Sequence, residues 1–313
     1  MPPVEATDSA KKIDNKATTF NREEWFLWAP IFVAVGYLLW DLQYWWNRME
    51  DYNFGWIVPA FSGYLIYENW SFITKHKKPD GRWYLPAWIF AAACFAIVAN
   101  YKALIGPDQT PSWILAFGTL AVVSAGILAT WGWRSLRLCL FPLLFLLVAV
   151  PLPQSIWGGI SRGLQRFVAA VSVEALSFMN IPVLQHGNTL ELESGHLAIA
   201  DACSGIRSLQ MSIMIGLLLG KLFLKTYFMR FMIMILGMMI AIPGNLLRTL
   251  WLTTTAHYHG MEAMNAIHDL AGWVVMGATV VGVTLVCYAL YSLEKLLLSG
   301  GLQHSPSETK QRA

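Results

Sequence analysis

The stretch PQSIWGGISRGLQRFVAAVSVEALSFMN, from Pro153 to Asn180, decides how the rest of the chain is threaded. Ile160, Leu164, Phe167, Val168 and Val171 recur in it at helical spacing. Arg162 and Arg166 share another face four residues apart, and Gln165 and Glu174 add polarity. A helix with an apolar and a charged face suits a position along a bilayer surface. The alternative is a crossing with the Arg pair turned into a bundle. The two readings put everything downstream on opposite sides of a membrane, so charge can arbitrate between them.

Outward from this segment the chain is strongly apolar. Its 313 residues are 56% hydrophobic and 13% charged, with a mean hydropathy of +0.48. Soluble domains carry about 25% charged residues. The composition excludes a disordered chain, a collagen-like chain and a disulfide-stapled secreted domain. A net charge of +3 gives no sign of a nucleic-acid partner. Apolar runs long enough to be helical spans lie near 25–45, 55–70, 84–104, 112–132, 135–152, 204–221, 229–250 and 269–292. The second is short and holds Pro59 and Gly63. The expected fold is an all-α polytopic membrane protein of about eight transmembrane helices. An interfacial amphipathic helix over 156–180 lies on the outer face.

Residues 1–24 are polar, with neither the apolar core nor the small-residue cleavage site of a removable signal peptide. With this segment inside and eight crossings, the inner loops collect Lys11, Lys12, Lys16, Arg22, Lys75, Lys77, Lys78 and Arg82. They also hold Arg134, Arg137, Lys221, Lys225, Arg230, Lys295, Lys310 and Arg312, making sixteen of the 22 Lys and Arg residues. The outer six are Arg48, Lys102, Arg162, Arg166, Arg207 and Arg248. A crossing at 153–180 would put Lys221, Lys225 and Arg230 outside, against the positive-inside rule. Eight spans satisfy it. The domain plan is a cytoplasmic segment 1–24, a transmembrane domain 25–292 and a cytoplasmic tail 293–313. The whole sits among the lipids of the inner membrane.

This topology brings three groups to the outer face. Cys203 opens the sixth span, Arg248 closes the seventh, and His268 opens the eighth. A thiol at a helix N-terminus meets the positive end of the dipole, which favours thiolate. Arg207, four residues on, shares its face and can add a cation. His268 can take and return a proton, and Arg248 can hold an oxyanion or a carboxylate. Ser204, Asn245 and Asp269 flank the three as candidates for substrate contact. Asp269 is expected to point off the His268 face, which leaves open what orients the imidazole. The bland readings are lipid snorkelling for Arg248, a hydrogen-bonded helix start for His268 and packing for Arg207. Cys94, Cys139 and Cys287 lie inside apolar runs and read as core residues. His257 and His259 form only an H-x-H pair, too weak to signal zinc, so neither a metal nor another cofactor is expected.

Ahead of Cys203 the period changes to two. Leu190 and Leu192 alternate with Glu191 and Glu193, Ser194-Gly195 makes a turn, and Leu197 and Ile199 alternate with Ala198 and Ala200. This predicts an extracytoplasmic β-hairpin over 186–201 that feeds the Cys203 helix, either as a lid or as an edge for an added strand.

The stretch from His186-Gly187-Asn188 through Ala202-Cys203-Ser204-Gly205-Ile206-Arg207-Ser208 resembles the signature of the exosortase/archaeosortase family. Asn245-Leu246-Leu247-Arg248 and His268-Asp269-Leu270-Ala271-Gly272 are similar to its second and third motifs. Asp51 to Pro59 resembles its first outer loop, with Phe54 where a His is usual. That departure leaves the reactive set intact. The resemblance implies a multi-pass cysteine transpeptidase or protease facing the periplasm, with Cys203 as nucleophile and Arg248 and His268 as its partners. It also implies exported protein substrates with a C-terminal sorting signal: a Pro-Glu-Pro-like motif, a transmembrane helix and a basic tail. The acyl acceptor is left unknown. Two other classes fit many spans with outer-face Arg and His: a transporter or polymerase of envelope polysaccharide, and a scaffold without catalysis.

Overall fold

A computed structural model describes residues 22–75, 78–106, 108–192, 195–198 and 205–300. Nine helices follow one another in it: α1 (Arg22–Arg48), α2 (Ile57–Glu68), α3 (Trp70–Lys75), α4 (Tyr84–Ile105), α5 (Thr110–Thr130), α6 (Trp133–Phe145), α7 (Gln154–Phe178), α8 (Ile206–Phe223) and α9 (Tyr227–Gly300). Among the described residues five helices are long and apolar enough to cross a membrane: Trp25–Arg48, Gly81–Ile105, Thr110–Thr130, Ile206–Phe223 and Tyr227–Ser299. The last is two arms that meet at Gly260, where φ 86° and ψ 169° form a backbone shape that essentially only glycine adopts. The arms fold back on each other. Gly272 faces Arg248, Gly244 faces Val275, and Gly282 faces Ile240.

Two of the eight apolar runs fold into helices too short to cross unaided. The twelve residues of α2 rise about 18 Å, against a hydrocarbon core of about 30 Å. The thirteen-residue α6 contains Pro142 and ends in a 3₁₀ turn, Leu146–Ala149. Together with α7 it makes a sixth candidate span bent by 73°. Pro151 and Pro153 stand at that bend.

The burial of α7 differs from a simple split into apolar and charged faces. It buries Trp157, Ser161, Gln165, Val168, Ala169 and Ser172. Ile160 and Phe167 are exposed, as are Arg162 and Arg166. Small side chains on the buried face let α7 pack closely on α9, where Val168 and Ala169 meet Leu252, Ala256 and Ala271.

After α7 come three antiparallel strands in order β1 (Leu184–His186), β2 (Thr189–Leu192) and β3 (Gly195–Ala198). β2 and β3 form the hairpin, with Leu192 opposite Gly195 and Thr189 opposite Ala198. The residues Glu193, Ser194, Ile199 and Ala200 of the predicted hairpin lie outside the described residues. Leu190 and Leu192 are buried against Val168, Met264 and Leu176. On the other face Glu191 meets His186 at 3.0 Å. β1 is an added strand. Its three residues are all exposed and so carry no alternation.

Candidate active site

Helix α8 starts at Ile206, and its cap is Gly205, held at φ 85° and ψ 2° in the left-handed region. The side chain of Asn245, from the first arm of α9, lies directly beneath. A Cβ on residue 205 would stand 2.7 Å from Cγ and Nδ2 of Asn245. The chain that follows the predicted nucleophile is therefore seated on α9. Cys203 and Ser204 themselves lie outside the described residues.

Arg207 lies on the first turn of α8. It does not stand as an isolated cation. Its Nη2 donates to Glu50 and its Nε donates to Asp51 Oδ1 at 3.4 Å. Both acids belong to a 3₁₀ helix, Glu50–Trp56, that joins α1 to α2. This segment is built into the core. Tyr52 and Phe54 are buried, the Tyr52 hydroxyl accepts from the Leu152 N–H at 3.0 Å, and the Trp46 indole donates to the Ala149 carbonyl at 2.8 Å. Burial raises the Tyr52 phenol above its ordinary range.

Arg248 is 7% exposed and reaches the second arm of α9. Its Nη2 donates to the His268 carbonyl at 3.2 Å and stands 3.5 Å from His268 Nε2. The bare backbone of Gly272 makes room for the guanidinium: a Cβ there would lie 3.1 Å from Nη2 and 3.3 Å from Cζ. Asp269 reaches His268 after all. Its Oδ1 is 3.1 Å from Nδ1. Neighbouring side chains diverge by about 100° around a helix, yet both rotamers here lean the same way. The imidazole is thus held between Asp269 at Nδ1 and the Arg248 guanidinium at Nε2.

These side chains line one cavity of about 490 Å³. Arg207, Asn245, Arg248, His268 and Asp269 all reach its wall, as do Glu50 and Phe54, while Ile57, Trp273 and Met276 give it an apolar side. The sequence motifs therefore converge, Cys203 and Ser204 apart. Phe54 lines the cavity from the core segment, so the position at which the chain departs from the family resemblance bears on the cavity itself. Sequence reasoning missed Glu50 as a site residue and treated Asp51 only as part of a family motif. Their partner is more than 150 positions away, with no local pattern to announce it. Among the described residues no group of three His, Cys, Asp or Glu side chains is arranged to hold a metal ion.

A helical bundle with several candidate spans, and a guanidinium and an imidazole sharing a half-apolar cavity, defines a polytopic membrane protein with an enzyme-like pocket. The family model of the transmembrane exosortases matches residues 45–285, from the end of α1 to the second arm of α9, and the chain belongs to that family. Neither a curated protein nor a solved structure matches it.

Proposed function

We propose that the protein is a cysteine transpeptidase that cuts exported proteins at a C-terminal sorting signal. The observation that carries the reading is the meeting of Arg248 and His268 at 3.5 Å in the cavity whose wall includes the turn after Cys203. In this mechanism His268 takes the thiol proton and the Cys203 thiolate attacks the scissile carbonyl carbon. Arg248 stabilises the oxyanion of the tetrahedral intermediate. Collapse breaks the C–N bond, His268 returns the proton to the leaving amine, and the substrate remains as a thioester on Cys203. An acceptor amine resolves the thioester, or water does so in hydrolysis. Asp269 keeps the imidazole in the tautomer whose Nε2 carries the lone pair that takes the proton.

The substrate on this reading carries a Pro-Glu-Pro-like motif, a transmembrane helix and a basic tail. The distribution of Lys and Arg supports cytoplasmic termini and a cavity that opens on the outer side of the inner membrane. The test uses an exported reporter ending in such a signal. Wild-type protein should shorten it through an adduct that neutral hydroxylamine releases, and Cys203→Ala, inserted at wild-type level, should leave it uncut. Normal shortening by Cys203→Ala would overturn the assignment of the nucleophile.

A further inference from the structure

We propose that Asp51 is a positioning residue of this reaction: it acts through Arg207 to fix the helix start that follows Cys203. The inference rests on the proposed function and adds a residue to it. Arg207 stands in the first turn of α8, four positions after Cys203 in the sequence, so its guanidinium is a lever on the helix start that follows the thiol. Two carboxylates hold two edges of that planar group, Asp51 at Nε and Glu50 at Nη2.

The two acids are not equivalent. The Glu50 side chain is 73% exposed and that of Asp51 only 12%. An exposed pair is screened by water and salt and contributes little. Asp51, by contrast, extends from the segment that Tyr52 and Phe54 anchor in the core, with Tyr52 tied to Leu152 ahead of α7. Its carboxylate is the fixed half of the clamp. Without that charge, Arg207 can follow the exposed Glu50 toward the cavity mouth, and the first turn of α8 loses its lateral restraint.

The test uses the full chain in proteoliposomes, with Cys94, Cys139 and Cys287 replaced by Ala so that Cys203 is the remaining thiol. Asp51→Asn keeps the shape and removes the charge. It should lower kcat on the sorting-signal reporter at least tenfold with KM within threefold. It should also change the rate at which an impermeant maleimide alkylates Cys203 at least threefold. Glu50→Gln should lower kcat less than Asp51→Asn does, and Asp51→Glu should recover part of the loss. Asp51→Asn combined with Arg207→Ala should be no slower than Arg207→Ala alone. Wild-type kcat in Asp51→Asn, or losses that multiply in the double variant, would overturn the proposal. So would failure of Asp51→Asn to accumulate where Arg207→Ala does accumulate, because Asp51 would then serve the fold independently of Arg207. If Cys203→Ala still cuts the reporter, the proposed function fails, and the alkylation rates still decide whether Asp51 positions the thiol.

Discussion

The amide of Asn245 lies against the backbone of Gly205, so that a Cβ at 205 would sit 2.7 Å from its Cγ. Gly205 is also left-handed at φ 85°, a region that costs an ordinary residue about 1–2 kcal/mol. Gly205→Ala combines both penalties. It should reduce reporter cleavage at least tenfold, and Asn245→Ala in the same chain should relieve only the steric part. The measurement is cleavage per inserted protein for the two variants and their combination. Unchanged cleavage in Gly205→Ala would show that the cap has no bearing on the reaction.

Gly272 matters for the room it leaves rather than for its torsions. A methyl group there would come 3.1 Å from Nη2 of Arg248. Gly272→Ala should displace the guanidinium from the His268 carbonyl and lower kcat about tenfold to a hundredfold, since misplacement by a fraction of an ångström is costly at a reacting centre. Thermal unfolding in detergent should move little, which separates this variant from a general packing defect.

Asp41, 7% exposed in α1, accepts from Lys102 of α4 and from Ser112 Oγ of α5 at 2.7 Å. Removing one member of a buried pair strands the other charge. Lys102→Met should therefore destabilise the bundle by about 3 kcal/mol, and Asp41→Asn added to it should recover much of the loss. Denaturation of the reconstituted single and double variants gives the comparison. Equal stability of wild-type and Lys102→Met would rule out a structural role for the pair.

Asp80, just ahead of the span that begins at Gly81, accepts from Arg82 through both carboxylate oxygens at 2.9 and 2.7 Å. These bonds hold the Asp80 carboxyl down at about 2. Because the folded value is depressed, any stability it contributes is present above the unfolded value of about 4. That contribution disappears as pH falls from about 4 toward 2. The carboxyl carbon resonance of Asp80 should titrate with a midpoint near 2 in wild-type protein and near 4 in Arg82→Gln. A wild-type midpoint near 4 contradicts the pairing.

Much of this was legible in the chain because long apolar runs and the 3.6-residue period are local signals. The meeting of Arg248 and His268 was readable for a related reason: both stand at the neighbouring ends of adjacent runs, 20 residues apart. The clamp on Arg207 was not readable. Glu50 and Asp51 look like ordinary charges of a loop, and only the burial of Tyr52 and Phe54 turns that loop into part of the core. The reach of α2 was hidden by composition, since 55–70 is mostly apolar while its first residues, to Trp56, wind as a 3₁₀ helix. Nor did periodicity reveal which face of α7 is buried. Around a bilayer the exposed side is apolar too, so hydrophobicity no longer separates inside from outside.

The break at Gly260 has a consequence for how such chains can vary. Guanidinium and imidazole are carried on two arms of one hairpin, so their alignment depends on the number of residues in each arm rather than on identity alone. One residue inserted within the helical part between Arg248 and Gly260, or between Gly260 and His268, would swing one group about 100° around its axis. Exposed positions along 249–267, Gly260 apart, can therefore accumulate substitutions, whereas a change in length there would desynchronise the pair unless the bend itself absorbs it.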